Sequence, residues 1–273
     1  MIHKIDGLNV IETGAENKQA ILFIHAFPLS HKMWLEQAKN FSNKYRVITY
    51  DMRGFGDSYE ENGIYTIDSH ADDLFTIIDR LKVVKPIVIG LSMGGYILLR
   101  AVDRDQNKFK AVVLCDTRTE ADTNEGKLNR AKQIKQIRTG GKTEFIETFL
   151  ENTFSDTTLK DPAKQPVVQF MKNIMTEQKD TAMAGTLLTL SARTDQTASL
   201  EKINIPMLII VGEKDKLTPP ELSKVMYQKI RNSKLSLIPE SGHFSNVENP
   251  QAFNKSVEDF INTLNDRKDS KSG

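Results

Sequence analysis

The sequence predicts an α/β fold, a mostly parallel sheet of about eight strands with helices on both faces and a helical cap inserted late in the chain. Three observations carry that expectation. Short, largely apolar runs at 20–24, 86–91, 109–115 and 206–212 have the length and composition of strands buried on both faces. Segments with helical spacing of apolar residues alternate with them, as in a parallel sheet with crossover helices. At Pro86–Arg100 an apolar run passes directly into a helix across Gly90-Leu91-Ser92-Met93-Gly94, a G-x-S-x-G pentapeptide.

Taken in order, Ile2–Ile5 and Leu8–Thr13, joined across Asp6-Gly7, read as an edge hairpin. Ala20–Ile24 is a strand that runs into His25-Ala26-Phe27-Pro28-Leu29-Ser30, and Arg46–Tyr50 is a strand followed by the loop Asp51–Ser58. Ala71, Leu74, Ile77, Ile78 and Leu81 recur at helical spacing. The strand at 86–91 and the helix after it come next, then a strand ending at Cys115. Pro206–Gly212 is another buried strand, Pro220–Ile230 a helix, Lys234–Ile238 a strand and Pro250–Leu264 an amphipathic helix. The polar tail 266–273 reads as disordered.

The interval 117–200 breaks this alternation. It holds no strong strand, supports helices at 126–138, 142–153, 165–177 and 181–192, and is too long for a connection. It therefore reads as a cap over the site, inserted into a core formed by 1–116 and 201–265. Phe145, Phe149, Phe154, Phe170, Met171, Met175, Met183 and Leu187 make the cap look apolar, with most of them serving to pack its helices.

Composition narrows the function classes. The 273 residues carry a formal net charge of +1 with both signs interspersed, so no broad field draws nucleic acid or an anionic membrane. The one cysteine, Cys115, cannot form a disulfide within the chain. Residues 1–7 lack the apolar core of a signal peptide, and no apolar run approaches membrane-spanning length. The expectation is a cytoplasmic protein acting on a small molecule; oligomeric state is not written in the sequence. Neither a metal-binding spacing nor a nucleotide-binding glycine loop is present, so the expectation is no cofactor and no metal.

A glycine-rich turn can hold a serine by accident, but a strand before it and a helix after it are the context that makes G-x-S-x-G a nucleophile elbow. Ser92 is thus the candidate nucleophile, and it needs a base with a third group to orient that base. His243 follows the last strand and precedes the terminal helix, at the carboxyl edge of the sheet where such sites form. His25 also follows a strand, in a turn where a structural hydrogen bond is its expected role. His3 precedes the core, and His31 and His70 sit among polar residues that suggest exposure. Asp215, after the 206–212 strand, is the favoured orienting acid, and Asp116, after the 109–115 strand, is its rival. Backbone N–H groups of Met93, at a helix start, and Phe27, ahead of Pro28, are candidates for an oxyanion hole. Trp34, Leu217 and Phe244 lie next to these segments and are candidate pocket residues.

These motifs together resemble an α/β-hydrolase from end to end: His25–Ser30, Asp51–Ser58, Gly90–Gly95, Gly212–Asp215 and Ser241–Phe244. Within that superfamily the chain is similar to capped esterases, enol-lactonases and the cofactor-free haloperoxidases that act as esterases and perhydrolases. The resemblance implies a serine hydrolase with a Ser92-Asp215-His243 triad in the chain order of that fold. The substrate would be a small to medium carboxylic ester; a lactonase, thioesterase, perhydrolase or carbon–carbon bond hydrolase would use the same triad, and a binding receptor on the same fold is the non-enzyme alternative. Ala26 stands where the family usually has glycine, which bears on the oxyanion loop. Ser92 stands where dehalogenases and epoxide hydrolases carry aspartate, which disfavours those activities.

Overall fold

The computed structural model describes residues 1–60 and 63–269, with backbone alone beyond 265. Eight strands form one sheet: β1 (Ile2–Ile5), β2 (Leu8–Thr13), β3 (Ala20–Ile24), β4 (Arg46–Tyr50), β5 (Ile87–Leu91), β6 (Ala111–Cys115), β7 (Met207–Gly212) and β8 (Ser233–Ile238). Their spatial order is β1-β2-β4-β3-β5-β6-β7-β8. The β1–β2 and β2–β4 pairs are antiparallel and the remaining five pairs are parallel. Every residue of β3, β4, β5, β6 and β7 is buried, as strands covered on both faces must be. The edge strands β1 and β8 keep exposed positions.

Of the helices, α1 (Leu35–Phe41) packs on α11 (Pro250–Asp269), and α2 (Ile67–Arg80) packs on α3 (Met93–Asp105). Helix α2 starts at a capping box in which Thr66 and Ser69 satisfy each other's backbone N–H groups. Helix α9 (Pro220–Lys229) lies against β7 and β8. Between β6 and β7 the chain forms α4 (Asn124–Arg138), α5 (Lys142–Thr153), α6 (Asp156–Lys160), α7 (Gln165–Glu177) and α8 (Asp180–Ala192). Helix α4 packs chiefly on α8, and α5 on α7. A four-residue helix α10 (Ser245–Glu248) precedes α11.

The structure adds one helix with no counterpart among the expected elements and corrects one expectation. Helix α1 was without a sequence signal because Gln37 and Phe41 alone are buried along it. Helix α11 continues to Asp269, so residues 266–269 are helical rather than part of a disordered tail; 270–273 lie outside the described residues. No helix among the described residues is long and apolar enough to cross a membrane.

Candidate active site

The turn from β5 into α3 places Ser92 at φ 54°, ψ −111°, a region costly for any residue with a side chain. Its neighbours explain how the turn is held. A Cβ on Gly90 would lie 2.4 Å from the carbonyl oxygen of Gly94, and one on Gly94 would lie 2.4 Å from that of Ile24. Only glycine permits both approaches. Ser92 N–H donates to the Cys115 carbonyl at 2.9 Å, and the Thr117 hydroxyl donates to the Ser92 carbonyl at 2.8 Å. The strained residue is therefore pinned to the end of β6, and its own hydroxyl is left to face the cavity.

That hydroxyl lies 2.8 Å from Nε2 of His243, whose Nδ1 lies 2.9 Å from Oδ2 of Asp215. With Nδ1–H donating to the carboxylate, Nε2 is free to accept the serine proton. The imidazole is buried, and its backbone N–H donates to the Thr153 carbonyl at 2.7 Å. Glu248, also buried, accepts from the N–H groups of Gly242 at 2.9 Å and Ser155 at 3.0 Å, which fixes the loop that carries His243.

Asp215 accepts from the N–H groups of Leu217 and Thr218 at 2.9 and 3.0 Å and from the Thr218 hydroxyl at 2.6 Å. Burial opposes its ionisation, but His243 and these donors outweigh burial and hold the carboxyl below the usual carboxylate range. Asp116 behaves in the opposite way. Burial, and then the charge of Asp215, push its carboxyl well above that range. Asp116 pairs with the Ser245 hydroxyl at 2.5 Å and the Gly212 N–H at 2.8 Å, and has no hydrogen bond to His243. Of the two rival acids, the structure brings Asp215 to the imidazole.

Phe27 and Met93 both line the cavity that contains Ser92 and His243, and neither backbone N–H has a hydrogen-bond partner among the described residues. Met93 is the first residue of α3, where N–H groups lack intrahelical acceptors and the helix dipole favours negative charge. The loop carrying Phe27 is shaped by His25, whose Nε2 accepts from the Met52 N–H at 2.9 Å while Nδ1 meets the Ala26 carbonyl at 2.9 Å. That pattern requires a neutral ring, and burial lowers its pKa to about 4. Ala26 sits there without a positive φ, its N–H on the Met33 sulfur at 3.2 Å, so this position does not require glycine. Asp51 fastens the next loop: it accepts from the His31 N–H at 2.7 Å and contacts the His31 ring at 2.7 Å. Although burial works against ionisation, His31 and then His25 hold the Asp51 carboxyl at about 2.

Of the three candidate pocket residues, only Leu217 borders the cavity. Trp34 is wholly buried in the core against Phe23 at 4.9 Å and Phe253 at 6.0 Å between ring centroids. Phe244 is buried against Phe154 at 5.5 Å and so supports the loop next to His243. His70, expected to face water, is fully buried, and His31 is largely covered. Of the apolar residues expected to form a cap, Phe145, Phe149 and Leu187 line the cavity, whereas Phe154, Met171, Met175 and Met183 are buried away from it and Phe170 is exposed. The cavity, about 570 Å³, is also less apolar than expected. Arg118, Asp122 and Arg130 line it, with Asn129, Gln133 and Gln136 of α4 alongside. Sequence reasoning missed these, as it missed Thr117, Thr218 and Glu248; the Asp215-x-x-Thr218 spacing, typical of a side chain capping its own turn, was the available signal.

A sheet of this topology, with a strained serine after its fifth strand and an imidazole–carboxylate pair from its last two loops, defines the hydrolase class of α/β proteins. The chain belongs to the alpha/beta hydrolase fold family, whose model matches residues 19–250. It is 28% identical over 258 residues to 3-oxoadipate enol-lactonase 2 of Acinetobacter baylyi, a match covering 94% of each chain. A thermophilic esterase from Thermogutta terrifontis, solved with malate bound, superposes with a TM-score of 0.91 at 27% identity, over 97% of this chain and 99% of that one. The enol-lactonase from Burkholderia xenovorans shares the fold at a TM-score of 0.87 and 24% identity, over 96% and 99% of the two chains.

Proposed function

We propose that the protein is a serine hydrolase that cleaves small to medium carboxylic esters through an acyl-enzyme, with residues 117–200 serving as a cap over the site. The observation that carries this reading is the unbroken line from the Ser92 hydroxyl through His243 to the Asp215 carboxylate, at 2.8 and 2.9 Å. In the first half-reaction His243 Nε2 takes the serine proton as Oγ attacks the ester carbonyl. The oxyanion that forms is met by the N–H groups of Phe27 and Met93. The imidazolium, stabilised by Asp215, then passes its proton to the leaving alcohol. In the second half-reaction the same imidazole activates water against the acyl-enzyme and returns the proton to Ser92 as the acid departs.

A lactone is an internal ester, and the enol-lactonase relatives at 28 and 29% identity favour lactone hydrolysis as the second reading of the same site. In that case the alcohol stays tethered to the acid product. The test is active-site labelling combined with turnover. A fluorophosphonate should modify Ser92 alone, and Ser92→Ala should lose on the order of 10⁴-fold or more in hydrolysis of p-nitrophenyl butyrate while remaining folded. Labelling at another residue, or an active Ser92→Ala protein, refutes the assignment. A labelled protein that turns over lactones and not open-chain esters selects the second reading.

A further inference from the structure

We propose that the cavity beside Ser92 holds a receptor for one carboxylate on the substrate, made by the guanidiniums of Arg118 and Arg130, so that anionic esters or lactones are preferred to neutral ones. The inference rests on the hydrolase reading above and narrows its substrate class.

The argument begins with Asp122, a buried carboxylate asked to serve three arginines. It accepts from Arg118 Nη2 at 2.8 Å, from Arg193 Nη1 at 2.6 Å and from Arg130 Nε. Burial opposes its ionisation, yet Arg130 and Arg193 keep the carboxyl at about 2, so it stays charged. Arg193 does not line the cavity. It is buried, donates further to the carbonyls of Leu190 and Glu120 and keeps only Nε without a partner, its guanidinium lies 4.4 Å from the Tyr96 ring centroid, and Asp195 acts on it electrostatically. Arg118 and Arg130 do line it. Their side chains are 28% and 20% exposed, both border the cavity, and each spends one donor on Asp122. Arg118 Nε is buried without any partner. Glu120 does not line the cavity.

Of the charges that line the cavity, Asp122 offsets one of the guanidiniums of Arg118 and Arg130, which leaves the wall with an excess of about one positive charge. Two like charges held side by side and partly desolvated repel each other, and a planar monoanion with two acceptor oxygens relieves both the charge and the unmet donors. A dianion would overcompensate. Phe27, Phe145, Phe149 and Leu217 line the same cavity as Ser92 and offer apolar contact to the rest of the substrate. The fitting ligand is therefore an ester or lactone whose carbonyl reaches Ser92 and whose carboxylate extends toward α4. A purely structural role for the arginines, tying α4 and α8 to the loop after β6, predicts no such preference.

The experiment compares p-nitrophenyl pentanoate with p-nitrophenyl hydrogen glutarate, acyl chains of equal length that differ in a terminal methyl or carboxylate. Wild-type kcat/KM should favour the glutarate ester by on the order of tenfold or more, and Arg130→Gln should reduce the glutarate-to-pentanoate ratio by about 10- to 100-fold. Arg130→Gln is the variant of choice because Asp122 keeps Arg118 and Arg193 as partners. A measurement on wild type alone covers the case in which the variant misfolds: raising salt from roughly 0.05 to 0.5 M should raise KM for the glutarate ester and leave that for the pentanoate ester unmoved. An enzyme that hydrolyses both esters with no anionic preference, or whose ratio is insensitive to salt and to Arg130→Gln, overturns the proposal and spares the hydrolase reading. A protein that hydrolyses neither is tested by calorimetry with monomethyl glutarate on Ser92→Ala. Binding weakened tenfold by Arg130→Gln supports the carboxylate receptor while the hydrolase reading falls, and no binding overturns both.

Discussion

His70 offers the most direct test of the packing around this site, because its charge state is set by burial. The ring is fully buried in α2, packs on Tyr65 at 5.6 Å between centroids, and leaves both nitrogens without a hydrogen bond among the described residues. Burial first, then the Arg53 charge, depress its pKa from 6.5 to about 3. The unfolded chain therefore binds a proton between those values that the folded chain refuses. Stability due to this group is fully present above pH 6.5 and is lost as pH falls toward 3. Between pH 7 and pH 5 the loss is about 2 kcal/mol, a figure set by the ordinary histidine value in the unfolded chain and hardly by how far below 5 the folded value lies. Asp116 acts with the opposite sign. With its carboxyl raised by burial and by Asp215, the folded chain keeps a proton the unfolded chain has released, so acidification stabilises through that group. Wild type alone would mix the two effects. Replacing the imidazole in His70→Phe removes one of them, and urea denaturation of both proteins at pH 7 and pH 5 isolates it: wild type should lose about 2 kcal/mol more than the variant over that interval. Equal losses would mean that His70 is hydrated or protonated in the folded protein, and the reasoning from burial would be wrong.

Asp215→Asn should lower kcat/KM on ester substrates by on the order of 10³- to 10⁴-fold through the wrong imidazole tautomer. Asp116→Asn should cost only a few-fold, because an amide can still accept from Gly212 N–H and meet Ser245; pre-steady-state rates on p-nitrophenyl butyrate compare the two, and the reverse ranking would move the acid role to Asp116. Gly94→Ala would drive a methyl to 2.4 Å from the Ile24 carbonyl and 3.1 Å from that of His25, at the root of the oxyanion loop. It should lower both the thermal midpoint and turnover, the latter by about 100-fold if the Phe27 N–H is displaced; wild-type values for both would contradict the close packing at the elbow.

The parallel sheet was legible because its strands are apolar on both faces, and nothing else in the chain writes five-residue runs such as Ala20–Ile24 and Ala111–Cys115. The three side chains at the carboxyl ends were legible for a related reason: loops after strands carry the site, and only one serine sits between glycines at a strand-to-helix turn. Trp34 was not, because proximity in sequence to the loop carrying Phe27 says nothing about which way a ring points. It turns into the core toward Phe23. His70 had a usable signal that composition obscured. Residues 70, 74, 77 and 78 share one face of α2 with Ala71, and that face is the buried one, so helical position outweighed the polar neighbours at 68, 69, 72 and 73.

The polar wall over Ser92 was the hardest part to read, and α4 shows why. Its sequence, Asn124–Arg138, has no apolar stripe and Ile137 is its one buried residue, so by pattern it is a solvated surface helix. Yet Asn129, Arg130, Gln133 and Gln136 recur at one, four and seven residues from the first, which is a helical face, and that face borders the cavity. Leu128 meanwhile points to solvent at 66% exposure. The exposed leucine returns nothing to folding, and the inward guanidinium, though paired with Asp122, shares that one carboxylate with two other arginines. The arrangement makes sense when the inward face is completed by something that arrives from outside the chain. Periodicity in polar residues, read with the same weight as periodicity in apolar ones, would have marked this face from the sequence; what it could not show is that Asp122, close by in the chain, is shared among Arg118, Arg130 and Arg193 of a distant helix end, one carboxylate for three guanidiniums.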